Sequence, residues 1–578
     1  MPTPSGQSNT SMNRTQGDCW LHVFLLVALC GVLYFPYLGT TPMFDKGEPR
    51  EALAVQDIVQ RGEWLLPLKR ATAIPSKPPM FHWSAALTYQ VTGVLDETTI
   101  RFPSALYATL GVICLYLLGA KLFGAQVGLL GGAILATTMI YQTQAVNARV
   151  DMTLCFFVTL SLLLFYAIYR GFLRHPMWPY AMYLLVGLAT LSKGPLGIVL
   201  PGLVIAVFLA LKRNWKMFFK FAFHPGVLLA VLLVAGWYGM AISRGGEGFV
   251  DRQLLSENLR RFVGGSGHSH PVYYYLSYLF SLAAPWGLFY PFMFWDWVKA
   301  RGSSDGDNLL FLQTWFGVML LFFSLSSGKR AVYLLPIYPA LALLLAVWVH
   351  RQARFDVVRT WFLRLISGVA AITALILLLI ALGDLWTHDP TWLFDPIEKL
   401  LKPKDRANFL VIVNQIAGWG WKFDAVALAW AALWSLFGYY LWRGRMIAAS
   451  GSLVALWIIF AFLSRGLVEV KIAETKSYRD FMIEVNRLVQ PSDKLVLSGG
   501  FNGDAVVFYR GGAIEVAERP VDSAVVQIAD GDGYIITTEK VWNRLRQAQP
   551  QLTPPLLRSR GSGPEGDAPL VLLRAVLP

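Results

Sequence analysis

The chain has 578 residues, of which 55% are hydrophobic, 14% aromatic and only 15% charged, with a mean hydropathy of +0.48 and a formal net charge of +14. That is too apolar for a soluble protein of this length, and it indicates a polytopic α-helical membrane protein. The positive balance does not argue for nucleic acid as a partner, because the basic residues fall where membrane topology places them.

In chain order, residues 1–19 are polar and Ser/Thr-rich, with Arg14 near the first apolar run, and read as a short cytoplasmic tail. Trp20–Leu38 contains no Asp, Glu, Lys or Arg and is long enough to span as a helix, the form that satisfies its own backbone in lipid. No small-x-small cleavage pattern follows it, so this span is expected to be retained. The same criterion gives thirteen spans, near 20–38, 103–122, 125–143, 153–170, 178–192, 195–211, 224–243, 275–297, 308–326, 331–349, 361–383, 421–442 and 446–465. An odd number puts the two ends of the chain on opposite sides. Residues 80–95 are apolar but short, and Pro78 and Pro79 precede them, so they read as an interfacial helix. Residues 48–60, with Ala52, Leu53, Val55, Ile58 and Val59 on one side, read as a second.

With the N-terminus inside, every predicted cytoplasmic loop is basic: Lys121, Arg170 and Arg174, Lys212 to Lys220, Lys299 and Arg301, Arg351 to Arg359, and Arg443 and Arg445. Acids, histidines and mixed charges gather in the other loops, which therefore face the periplasm. After Arg465 the pattern changes. "KSYRDFMIEVNRLV" and "EKVWNRLRQ" have helical spacing, while "DKLVLSG", "AVVFYRG" and "GYIITT" read as strands, so residues 466–578 are expected to form a small periplasmic α/β domain. Gly499–Gly500 and "DGDG" at 530–533 suit turns, since neither a P-loop nor a calcium-loop spacing is complete. Cys19, Cys30, Cys114 and Cys155 lie in or beside apolar runs without a CxxC, which points to neither a disulfide framework nor a cysteine metal site.

The outer loops combine into one charged surface. The first, 39–102, carries Asp45, Lys46, Glu48, Arg50, Glu51, Lys69, Arg70 and Lys77; the second, "QAVNARVDM", carries Arg149 and Asp151. Lys193 follows in "SKGP", then Arg260, Arg261, His268 and His270, then Lys329, Arg330 and Tyr333 in "SSGKRAVYLLPIYP". Each has an ordinary structural explanation: cations snorkel at helix ends, Asp151 stands where a helix cap belongs, and "GSGHSHP" reads as a Gly/Ser-rich loop. Their joint placement at one membrane face favours a site for an anionic lipid headgroup beside a carboxylate base.

The order of these motifs resembles the GT-C glycosyltransferases, and within them the aminoarabinose transferase and protein mannosyltransferase superfamily. The likeness lies in the acid-Glu-x-Arg pattern of the first loop, "GEW" then "KP", a second loop ending in Asp, "KG", and "SSGKRxxYLLPxYP", over residues 20–465. The resemblance implies a GT-C membrane domain of about thirteen helices and transfer of a sugar from a polyprenyl (undecaprenyl) phosphate, usually with inversion, on the outer face of a bacterial inner membrane. It carries roles by position to Glu48, Arg50, Lys77 and Asp151. Two departures stand out: Gly47 replaces the family's Asp, leaving Asp45 as a substitute acid, and Ser76 replaces a Glu that would be a zinc ligand, so neither a required metal nor a cofactor is expected.

Displacing a polyprenyl phosphate requires cations to hold the phosphate and, for a hydroxyl acceptor, a carboxylate to take its proton. The candidate catalytic acids are Glu48, Asp151 and Asp45; the candidate phosphate-binding residues are Arg50, Lys77, Arg149, Lys193, Arg261, Lys329, Arg330 and Tyr333. The expected acceptor is an envelope component such as lipid A, another glycolipid or polysaccharide, or a protein. The rival reading, a multispan lipid transporter or flippase, would place acids or interrupted helices near the bilayer midplane, whereas here the charges cluster at one edge.

Overall fold

The computed structural model describes the chain apart from residues 1–6, 46, 71–72, 254–269, 300–305, 352–356, most of 388–417, 499–500, 513, 517–532, 549–553, 562, 564–568 and 576–578. The described residues are mostly helical. Eight helices are long and apolar enough to cross a membrane, among them Glu97–Phe123, Val150–Tyr169, Gly306–Leu325 and Trp421–Trp442. Cys19–Tyr34, Ala125–Ala136 and Leu196–Leu211 are shorter apolar helices. The last long helix does not stop at 465: it continues from Met446 through a π-turn at Ser464–Glu469 to Lys476.

Two of the apolar segments are interrupted. One breaks between Ala136 and Met139, the other between Ser281 and Tyr290. The breaks pair with each other: Met139 N donates to Ala284 O at 2.9 Å, Ile140 N to Leu282 O at 3.0 Å, and Trp286 Nε1 to Thr137 Oγ1 at 2.9 Å. Ile140, Thr137 and Trp286 are buried, so two of these bonds satisfy an amide and an indole in the interior, while Met139 lies at the surface of the bundle.

Beyond Lys476 lies a five-stranded sheet of order β2-β1-β3-β5-β4. Its strands are β1 (Lys494–Leu497), β2 (Glu515–Val516), β3 (Gly533–Thr538), β4 (Leu557–Arg558) and β5 (Leu570–Ala575). β1 runs parallel to β2 and β3, while β5 is antiparallel to β3 and β4. "AVVFYRG" is not the strand its β-branched pair suggests. Asp504–Arg510 is a helix that buries Ala505, Val506, Val507 and Phe508 in succession and ends at Gly511, whose φ of 71° is the left-handed close of a helix.

The first external segment forms the two helices expected, Gly47–Arg61 and Met80–Thr92. The second leaves Leu87 and Val91 exposed, with Val94 exposed just beyond its end. The first differs from an interfacial helix: eleven of its fifteen residues are buried, and Val55 and Ile58 share a core with Phe81 and with Tyr478, Phe481 and Phe508 of the C-terminal unit. Its apolar face is covered by protein rather than lipid. Tyr509 reinforces this junction, accepting from Met43 N at 2.9 Å and donating to Glu97 Oε1 at 2.9 Å.

Candidate active site

Short connections between antiparallel helices bring the start of Val150–Tyr169 and the end of Trp178–Lys193 to the same end of the bundle, next to the loop that leaves the first helix. Asp45 stands at the head of Gly47–Arg61. Its Oδ1 accepts from Gly47 N at 2.6 Å and Glu48 N at 2.8 Å, capping two amides that the helix leaves open. Its Oδ2 accepts from Arg149 Nη2 at 2.7 Å, with the two side chains 33% and 26% exposed. Burial pushes the Asp45 carboxyl up, but the Arg149 charge and these hydrogen bonds outweigh it and hold the group below its ordinary value.

Gly47 makes this pairing possible. A Cβ at that position would sit 2.0 Å from Arg149 Cζ, so the guanidinium occupies the room that any side chain would need. The departure from the family's Asp at 47 is therefore coupled to where Arg149 lies.

Asp151, in the first turn of its helix, is paired with Lys193. The Lys193 ammonium also lies 4.5 Å from the centre of the Tyr333 ring. Lys77 is within electrostatic reach of Asp151, and Arg149 within reach of both Asp151 and Glu51. Asp45, Arg149, Asp151, Lys193, Lys77 and Tyr333 thus form one cluster drawn from four separate segments.

Other expected residues lie elsewhere. Glu48 is 2% exposed and receives Arg101 Nε and Nη2 on its two oxygens, both at 2.7 Å, plus Ala148 N at 2.9 Å. Arg101 Nη1 donates to Leu38 O and Thr41 O at 2.7 and 2.6 Å, stapling the exit of the first helix to Glu97–Phe123. Lys329 is buried and donates to the carbonyls of His270 and Ser326. Arg330 is exposed, its backbone N–H donating to Tyr275 Oη at 3.3 Å. Arg261 and His268 lie outside the described residues; His270 stacks on Tyr274. Among the described residues no group of three or more His, Cys, Asp or Glu could hold a metal ion.

Sequence reasoning passed over a second acid. Glu51 is buried, its Oε1 accepting from Arg50 Nε and Nη2 at 3.0 and 2.6 Å and its Oε2 lying 2.9 Å from His82 Nε2. Burial opposes its charge, but Arg50 and His82 prevail and hold it well below the usual carboxylate range. Glu51 and Arg50 line a cavity of about 430 Å³ with Lys69, Ser76, Asp251 and Arg252. Its helical position beside Arg50 was the available signal, but its partner His82 is 31 residues away.

Residues 76–238 match the family described as dolichyl-phosphate-mannose-protein mannosyltransferase. An uncharacterised protein of Aquifex aeolicus is 30% identical over 383 residues, covering 66% of this chain and 73% of its own length. The chain belongs to the GT-C glycosyltransferases of the aminoarabinose transferase and protein mannosyltransferase type. It is a membrane glycosyltransferase. The undecaprenyl phosphate-alpha-4-amino-4-deoxy-L-arabinose arabinosyl transferase of Pseudomonas aeruginosa is 28% identical over 444 residues, 76% of this chain and 74% of that one. The fold matches ArnT from Cupriavidus metallidurans, crystallised with undecaprenyl phosphate, at a TM-score of 0.75 and 21% identity over 96% of this chain and 98% of that one.

Proposed function

We propose that the protein transfers a sugar from a polyprenyl phosphate, undecaprenyl phosphate by analogy with its arabinosyl transferase relatives, to an envelope acceptor at the periplasmic face of the inner membrane. In this reading the thirteen apolar segments all cross the bilayer, residues 20–465 form the transferase domain and residues 466–578 a periplasmic α/β domain. The observation that carries it is the convergence of Asp45, Arg149, Asp151, Lys193 and Lys77 at one end of the bundle, which in this reading lies level with the lipid phosphates.

Lys77, Arg149 and Lys193 hold the donor phosphate, the arginine as a fork and the lysines as point charges. Asp151 fixes Lys193 against Tyr333. The acceptor oxygen attacks the anomeric carbon, the bond from that carbon to the phosphate oxygen breaks, and polyprenyl phosphate leaves with the electron pair. For a hydroxyl acceptor the proton goes to Asp45. A carboxylate has about four acceptor positions; Asp45 uses two on Oδ1 and one on Oδ2, which leaves one on the partly exposed oxygen. Glu48 also accepts three hydrogen bonds, but it is buried and held on both oxygens by Arg101, out of an acceptor's reach, and serves as structure. The neighbouring cavity, lined by Arg50 and Glu51, takes the acceptor.

Mass spectrometry of envelope lipids, glycans and glycoproteins from cells with the gene, without it, and with Asp45→Asn tests this reading. A sugar adduct present only with the intact protein is expected. Identical profiles in all strains, with the protein present in the membrane, refute it. A phosphatase fused after residue 578 should be active, and activity only of a cytoplasmic reporter would overturn the topology.

A further inference from the structure

Asp504 opens the helix Asp504–Arg510 of the C-terminal unit, and its side chain is 3% exposed. Its Oδ2 lies 2.7 Å from Lys69 Nζ and its Oδ1 2.5 Å from Arg70 Nη2, so one buried acid holds two consecutive cations of the first external segment. Arg70 is one of two non-glycine residues with positive φ among the described residues, at 53°, a conformation that a side-chain-bearing residue keeps only when its surroundings impose it. Directly after it the chain closes on itself: Lys69 N donates to Ala73 O at 2.8 Å and Ala73 N to Lys69 O at 2.9 Å. Ala73, Ile74, Pro75 and Ser76 then form one wall of the 430 Å³ cavity, to which Lys69 also contributes.

The far end of that wall is fixed separately. Gln253 Nε2 donates to Pro75 O at 2.9 Å and to Lys77 O at 3.1 Å. The wall therefore hangs between two polar anchors, one within the membrane-embedded part and one, Asp504, on the C-terminal unit. Among the described residues none of the C-terminal unit lines the cavity, so its influence on the site is indirect: through the core it shares with Gly47–Arg61, which carries Arg50 and Glu51, and, for the wall of residues 73–76, through Asp504.

We propose that Asp504 is a positioning residue for the acceptor cavity: by clamping Lys69 and Arg70 it sets the wall formed by residues 73–76, and the C-terminal unit thereby governs acceptor binding without touching the acceptor. This rests on the reading that the cavity takes the acceptor. Without the Asp504 charge, the ion pairs that tie Lys69 and Arg70 to the C-terminal unit are lost, and Lys69 is free to swing across the cavity. The donor-phosphate pairs, Asp45 with Arg149 and Asp151 with Lys193, lie away from this contact, and Lys77, next after the wall, keeps its own anchor in Gln253.

The test uses the full chain in nanodiscs. Asp504→Asn is expected to raise KM for an envelope lipid extract about ten-fold or more, within the roughly 10²-fold that an ångström-scale misplacement costs. The turnover number and the binding of undecaprenyl phosphate should stay within about two-fold. Asp504→Glu should recover most of the loss, and hydrogen exchange at residues 69–76 should quicken in Asp504→Asn alone. In a Lys69→Gln/Arg70→Gln background, Asp504→Asn should add little, because contacting residues are not additive. Unchanged KM in folded Asp504→Asn overturns the proposal. If Asp504→Asn does not fold, the Lys69→Gln/Arg70→Gln protein decides: unchanged KM there overturns it equally. Absence of sugar transfer by the unmutated protein would count against the transferase reading, and the exchange experiment, which needs no substrate, would still decide whether Asp504 places the wall.

Discussion

Two carboxylate–guanidinium pairs lie three residues apart on the first external segment and do opposite things. Glu48–Arg101 is sealed, with side chains 2% and 3% exposed and both acid oxygens engaged by the guanidinium. Asp45–Arg149 is joined by one hydrogen bond and is 33% and 26% exposed. The sealed pair ties the first helix to the rest of the bundle; the open pair is partly exposed, and in the proposed reading it is the one that meets the substrate. Both acids accept three hydrogen bonds, so it is exposure and not the number of partners that separates them.

The comparison can be broken at either pair. The largest effect is expected from Asp45→Asn, which should lower turnover roughly 10²–10⁴-fold, the usual cost of losing a general base, with undecaprenyl phosphate binding retained. Near-normal turnover in that variant, together with a large loss in Asp151→Asn, would move the base to Asp151. Next comes Glu48→Gln. It leaves Arg101 buried without its counter-charge and should cost about 3–5 kcal/mol of stability. Thermal unfolding in detergent reads this, and a variant that unfolds normally but has lost turnover would reverse the roles assigned to the two acids.

A smaller effect sharpens the open pair. Gly47→Ala puts a methyl group where the Arg149 guanidinium lies and should displace it, while the helix itself accepts alanine. Loss of a charged hydrogen bond is worth about 1.5–3 kcal/mol, so undecaprenyl phosphate binding should weaken roughly 10- to 100-fold with little change in unfolding temperature. Isothermal titration against undecaprenyl phosphate measures it, and unaltered affinity would remove Arg149 from the phosphate site.

The smallest concerns pH. Because the folded Asp45 carboxyl lies below its ordinary value of 3.8, its contribution to stability is present above that value and disappears as pH falls through the lower, folded one. The acid limb of kcat/KM attributable to Asp45 should therefore lie below pH 3.8. In Arg149→Gln the guanidinium no longer opposes burial, and the limb should move upward. A limb that stays in place would show that Arg149 does not control this acid.

Much of the helical architecture was legible because an apolar run has few alternatives: residues such as those from Val150 to Tyr169 must satisfy their own backbone. Of the candidate acids and cations, Asp45, Lys77, Arg149, Asp151 and Lys193 are brought together, since helix ends joined by short loops gather at one face, whereas Glu48, Lys329 and Arg330 are not. What was not legible depended on distant partners. Glu48 looks like Asp45 in one dimension, and only Arg101, 53 residues on, shows that it is locked in a buried ion pair. Glu51 needed His82, and Lys69 and Arg70 needed Asp504, more than 400 residues away, to reveal what they do. Val506 and Val507 favoured a strand, yet the covering helix Gly47–Arg61 offered an apolar face that a helix fills better.

The paired breaks at Ala136–Met139 and Ser281–Tyr290 carry a consequence for the order in which the molecule is made. The amides of Met139 and Ile140 find their acceptors in Leu282 and Ala284, which leave the ribosome more than 140 residues later. Until then that interruption has no mate, and a buried N–H left open, such as that of Ile140, costs on the order of 1–3 kcal/mol. The early half of the bundle must therefore wait in an environment that supplies substitute acceptors, whether water, the insertion machinery or a chaperone, and a nascent chain halted before Leu282 would present that unfinished seam to the cell's membrane quality control.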